Sequence, residues 1–303
     1  MIVISSRIRT EVINNLKCHL SRATSKPVFL FSQEELVKDA LMSLKTTNNE
    51  ISTIIKFANG EVLDLNQCTS FYFANYPYIL YEWIPYENYL DKLYALQEWS
   101  ASFTAAFQTH KNIEFINPLL VKYDFVSEAE QILYLQRFKL DTIDQVLTNN
   151  PDKALKYYEQ WNKQVLFKSV RKGYDTASNM ETVDLGRLDK LSLSPVIFQK
   201  VISGKEVNVC LLGENCLAVE RAFENEIETK NVTEIPLDIK NKLVEISKDL
   251  NCPLLQVNFI YNNFDHKYYA FGLDIYPDFE VLYSLFDDEL FKMFCQYFIG
   301  ETA

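Results

Sequence analysis

Apolar positions in the first third of the chain follow two rhythms. Ile2, Val3 and Ile4 make a short continuous apolar run closing on Ser5, which predicts a strand over residues 2–5. Residues 10–20 repeat their apolar positions at helical spacing, residues 28–31 form a second strand-like run, and residues 33–44 return to the helical period. A hairpin-like pair follows at 52–57 and 61–65, then a strand at 70–73 and a long amphipathic helix at 87–109. That alternation predicts an α/β lobe over residues 1–118, with a sheet covered by helices.

Downstream the pattern becomes mixed α+β. Helices are predicted at 127–137 and 151–160, before a strand at 165–168 that runs into a polar, turn-like loop. Residues 194–213 hold two β-rich segments joined through Gly204-Lys205. A helix over 238–250 meets a stop signal in Asn251 and Pro253. Strands at 254–261 and 268–277, joined by a polar turn, complete a predicted hairpin. The expected organisation is three lobes, 1–118, 119–205 and 206–303.

The five segments 54–73, 115–118, 165–176, 194–213 and 254–277 stand in an order and spacing that resemble the ATP-grasp superfamily. The resemblance is to the branch of ribosomal-protein glutamate ligases and of the peptide ligases that cyclise ribosomal precursors, and it covers nearly the whole chain. It implies an α/β plus α+β, three-lobed ATP-grasp-like fold with an N-terminal α/β lobe. It also implies ATP and magnesium as cofactors in an active member, because such ligases form an acyl phosphate whose developing charge two metal ions neutralise.

The residues at the matching positions depart from that chemistry. The late hairpin should offer an Asp, then Glu-x-Asn, as hard oxygen ligands. Here it offers Asn258, Asp274 and Tyr276. A register slipped by a residue or two would bring Asp265, Asp278, Glu280 or Asp287-Asp288 to the metal, but a slip of one turns every strand side chain to the other face. Lys168 matches the strand-end lysine on phosphate, and Gln199, Lys200 and Val201 match the adenine hinge, where backbone groups do the bonding. Glu206 matches an acid near the ribose. Glu128 stands in place of a second lysine, where a carboxylate would repel a triphosphate. Asn208 replaces an arginine, and Gly173 is alone in a loop that the family fills with glycines.

Two functions fit. One is a degenerate homologue that recognises a short precursor peptide or scaffolds an intact partner ligase, with cofactors lost. The other is an active ligase joining a precursor carboxylate to an amine or hydroxyl through an acyl phosphate. The aromatic run from Phe71 to Tyr86, in which Ala74-Asn75-Tyr76-Pro77 stands where the family has an arginine pair and a proline, suits peptide contact through Tyr72, Tyr76 and Tyr78, as do Arg171 and Lys172.

Composition narrows the alternatives. With 303 residues and 48% apolar content the chain can bury several lobes, and no apolar run reaches the ~18 residues of a membrane span. A net charge of −11 argues against nucleic acid. The six cysteines form no C-x-x-C pair, which suits a reduced, cytoplasmic setting and leaves the Asn231-Val232-Thr233 sequon idle. Three scattered histidines and the lack of hydrolase, P-loop or dinucleotide motifs leave other enzyme classes unsupported. An oligomer is compatible with all of this.

Overall fold

The computed structural model describes every residue except 49, 120–124, 126, 171–177, 181–184, 225–226 and 301–303. Strands β1 (Ile2–Ser6), β2 (Val28–Ser32), β6 (Ser70–Phe73) and β7 (Glu114–Ile116) form a parallel sheet in the order β2-β1-β6-β7. β1 is buried on both faces, which explains why it reads as a continuous apolar run rather than an alternation. Helix α1 (Glu11–Ala23) is capped by Thr10, which accepts from Ile13 N, and lays Ile13, Leu16 and Leu20 on one face of this sheet. Helix α3 (Tyr89–Gln108) covers the other face, where Phe103 and Phe107 join Phe31, Phe71 and Phe73 in an aromatic core.

Between them lie α2 (Gln33–Asp39) and a three-stranded antiparallel sheet of β3 (Leu41–Thr46), β4 (Ile51–Lys56) and β5 (Val62–Asp64). The expected helix over 33–44 is therefore only half right. It stops at Asp39, and six residues from Leu41 to Thr46 pair in register with Ile51 to Lys56. The β-branched partner strand, with Ile51, Thr53, Ile54 and Ile55, draws these residues into a ladder that a local helical period could not outweigh.

A second sheet, antiparallel and ordered β10-β9-β11-β8, is built from β8 (Gln145–Thr148), β9 (Val165–Lys168), β10 (Ser178–Asn179) and β11 (Val196–Lys200). Helix α5 (Pro151–Gln160) packs on one face through Ala154 and Tyr158, together with Trp161 and Phe198. Helix α4 (Glu128–Arg137) starts in a capping box made by Ser127 and Glu130.

The largest sheet has five antiparallel strands ordered β14-β13-β12-β15-β16: β12 (Lys205–Leu212), β13 (Asn215–Glu224), β14 (Ile227–Thr233), β15 (Leu254–Asn262) and β16 (Lys267–Asp274). Gly204 immediately precedes β12, and any Cβ there would collide with the Tyr261 carbonyl. Helix α6 (Leu237–Leu250) buries Leu243 and Ile246 on one face of the sheet and ends, as its stop signal requires, at Asn251 in the left-handed region with φ 54°. Helices α7 (Phe279–Phe286) and α8 (Asp288–Ile299) close the chain. Their Phe279, Phe291 and Phe294 join α1, Tyr72, Cys210 and Leu254 in one core that binds the first sheet to the last.

Candidate functional site

Strand register gathers the polar residues of the last sheet on one face. Asn208 of β12 lies opposite Asn258 of β15, Gln256 opposite Asp274 of β16, and Glu206 opposite Arg221 of β13. Residues alternate sides along a strand, so Glu206, Asn208, Gln256, Asn258 and Asp274 share a face. Val207, Val209, Val257, Phe259 and Leu273 occupy the other, against α6. Asn258 faces Gly272, which leaves room for its amide: a Cβ there would lie 3.4 Å from Asn258 Nδ2.

These side chains bond to one another. Gln256 Nε2 donates to Asn258 Oδ1 at 3.2 Å, Asn208 Nδ2 donates to Glu206 Oε1 at 3.1 Å, and Arg221 Nη1 reaches the same carboxylate at 3.4 Å. Asp274 Oδ1 accepts from the Tyr276 backbone N–H at 3.0 Å. Tyr276 turns its ring edge-on to Tyr76, with centroids 5.1 Å apart, and donates its hydroxyl to the Pro118 carbonyl. The phenol is a tie between the end of β16 and the turn after β7. A magnesium ion needs several hard oxygens around one point, and the three expected ligands, Asn258, Asp274 and Tyr276, offer one carboxylate, an amide oxygen already accepting a hydrogen bond, and a phenol pointed elsewhere. The residues do not fit the metal. Among the described residues no group of three or more His, Cys, Asp or Glu side chains could hold one either.

Lys168 ends β9 nearly buried, 8% exposed, and its ammonium pairs with the Glu128 carboxylate at the start of α4. The same helix reaches β16 through Gln131, whose Oε1 accepts from Leu273 N at 3.3 Å. Helix α4 thus bridges the Lys168 strand to the Asp274 strand. Gln199 is buried on β11, but the backbone N–H groups of the hinge are already used. Lys200 donates to the Asp144 carbonyl at 2.9 Å and Val201 to the Gln164 carbonyl at 3.0 Å. A cleft of about 300 Å³ opens beside Lys200, Val201 and Ser203, and its walls include Asp144 and Asp265. Two carboxylates against one lysine make it a poor seat for a triphosphate. Asp265 also accepts from the Tyr269 hydroxyl at 2.6 Å, and that bond pushes the phenol up to about 12.

The expected peptide contacts divide. Tyr72 is corrected outright: β6 is an inner strand covered on both faces, so its ring is fully buried against Phe279 and Phe294 and offers no surface. Tyr76 and Tyr78 are 45% and 37% exposed and remain available. Arg171, Lys172 and Gly173 lie outside the described residues. Two residues gained importance that their sequence context did not announce. Asn117 joins the first sheet to the last, donating to the Leu254 carbonyl at 2.6 Å and to the Ile275 carbonyl, and accepting from Leu254 N at 2.9 Å. Arg7, just beyond β1, lies over the Tyr78 ring at 5.0 Å. For Asn117 the Phe115-Ile116-Asn117-Pro118 turn was the available signal. For Arg7 there was none.

No protein-family model matches the chain, and no curated protein does. Solved structures do. The macrocyclase MdnC from Microcystis aeruginosa MRC, bound with precursor peptide MdnA, superposes with a TM-score of 0.82 at 15% identity, covering 100% of both chains. A RiPP-associated ATP-grasp ligase from Chryseobacterium gregarium, in complex with ADP and a leader and core peptide, gives 0.83 at 15% identity over 100% of this chain and 97% of that one. The ATP-grasp ligase PsnB, complexed with minimal precursor, Mg and ADP, gives 0.76 at 17% identity over 99% and 97%. The fold of this chain is that of the ATP-grasp ligases, preserved end to end at an identity too low to carry activity with it.

Proposed function

We propose that this chain is a degenerate ATP-grasp homologue that recognises a peptide, or supports a partner ligase acting on one, and no longer forms an acyl phosphate. The observation that carries the reading is the pairing of Lys168 with Glu128. A lysine serves a nucleotide only while its charge is available to phosphate, and here the nearly buried ammonium is already neutralised by the Glu128 carboxylate. The other expected site residues agree: Asn258 is engaged by Gln256, Tyr276 is committed to Pro118, and the backbone N–H groups of Lys200 and Val201 are occupied. Peptide recognition is supported by the three similar structures, each solved with a precursor or a leader and core peptide.

An active ligase using Lys168 on phosphate, Glu206 near the ribose and Asp274 on magnesium would need all three released from their present partners. The deciding measurement is calorimetry with ATP, with and without magnesium. We expect no saturable, magnesium-dependent binding, and a micromolar dissociation constant would overturn the reading.

A further inference from the structure

The second sheet carries a cavity on the side away from Lys168. Side chains alternate along β9 and β11, so Phe167 and Phe198, which pair across the two strands, point to the face opposite Lys168 and Gln199. On that side lies a space of about 280 Å³. Its walls are Phe167, Val196 and Phe198 of the sheet, Met180 next to β10, and Leu188 and Leu191 of a short 3₁₀ helix, Leu188–Leu193.

That helix is patterned toward the cavity. In a 3₁₀ helix residues three apart eclipse one another. One row holds Leu188, Leu191 and, just past the end, Ser194, and all of them line the space. The next row begins with Arg187 and Lys190, which line it too, while Asp189 and Ser192 in the remaining row lie off it. The segment's acid is thus set apart from the space that its cations border. Arg187 and Lys190 are exposed, and among the described residues neither meets a carboxylate. Their stems run along an apolar wall and their charges stand at its rim.

The interior is unsuited to water. A buried water needs roughly two to four polar partners, whereas the uncharged polar side chain on this wall is Ser194 and the backbone of β9 and β11 is spent in their ladder. An apolar cavity of about 150 Å³ stays dry and takes up benzene. This one is roughly twice that size, with room for an apolar body of roughly six to ten carbons. We propose that the cavity binds a small amphipathic anion, with its apolar body between the sheet and the short helix and its charged head against Arg187 and Lys190. The site shares no residue with the polar face of the last sheet or with the Lys168–Glu128 pair. It goes beyond the function proposed above and does not depend on it.

Met180 supplies the readout. The chain has 4 methionines, so methionine-methyl NMR of the whole chain gives few resonances, and Met180→Leu assigns the one on the cavity wall. Hexanoate, octanoate and octyl phosphate are titrated below micelle-forming concentrations, with octanamide and octylammonium as neutral and cationic counterparts. Octanoate should shift the Met180 methyl selectively and bind roughly tenfold more tightly than hexanoate, as two further buried methylenes require. It should also bind several-fold more tightly than octanamide, with octylammonium weakest. Whichever of octanoate and octyl phosphate binds more tightly identifies the head group. Arg187→Gln with Lys190→Gln, at exposed positions, should erase the preference for octanoate over octanamide while octanamide still binds. Leu188→Trp, at the partly exposed rim, should weaken every probe by filling the space. A silent Met180 methyl, equal shifts at all methionines, octylammonium binding as well as octanoate, a preference that survives the double variant, or undiminished binding in Leu188→Trp would each overturn the proposal.

Discussion

Lys168 and Glu128 each change meaning once they are seen together. Read along the chain, Lys168 kept a phosphate ligand and Glu128 lost one, two separate marks on opposite sides of the account. In space they are one ion pair. Forty positions and a helix-to-strand contact lie between them, so no local pattern could have announced it. His110 gives the residue scale its pH dependence. It is 8% exposed, with Nε2 2.9 Å from Thr53 Oγ1, and burial lowers its imidazole from the usual 6.5, partly offset by Asp64. A base depressed in the folded state binds its proton more readily when unfolded. Its contribution is therefore present above the unfolded value and is lost as pH falls through 6.5 toward the folded one. Tm should decline across that window by calorimetric scanning, and His110→Gln should flatten the decline. Equal slopes in wild type and variant would show that the ring stays uncharged for another reason or that it is irrelevant to stability.

Among the elements, periodicity identified most strands and helices correctly, and its failure at 41–46 has an identifiable cause. Leu41, Leu44 and the residues before them keep a helical beat, yet backbone pairing with β4 decides the outcome. Turns were read less deeply than strands. The Asn117 side chain is 2% exposed and completes backbone hydrogen bonding at both Leu254 and Ile275, so the turn after β7 is a joint between two sheets. Asn117→Ala would leave the Leu254 N–H and carbonyl buried without their partner. We expect a loss of about 2–4 kcal/mol in urea unfolding, the size of a broken buried hydrogen-bond set. A change no larger than that of an exposed substitution would mean that water replaces the amide there.

For the molecule as a whole, the polar face of the last sheet and the Lys168–Glu128 pair define what a magnesium-nucleotide site here would require. Asn258→Asp, Asp274→Glu and Tyr276→Asn would place hard oxygens on one face, and Glu128→Lys would place a second cation beside Lys168. The fourfold variant should lose stability, because it gives up the Tyr276 bond to Pro118 and sets two lysines together in a nearly buried place. ATP with magnesium should then raise its Tm while leaving wild type unchanged. Absence of that rise in a folded variant would show that the hinge and acidic cleft exclude nucleotide by themselves. The order of strands and helices, the late hairpin and the helix stop at Asn251 were all legible in the chain, because period and turn chemistry are local properties. The tertiary structure alone decided that Tyr72 is core, that the hinge amides are occupied, that Tyr276 and Asn117 tie the sheets together and that Glu128 answers Lys168. Those facts depend on which distant surfaces meet, and the free energy of such meetings lies in packing and pairing that no single segment contains.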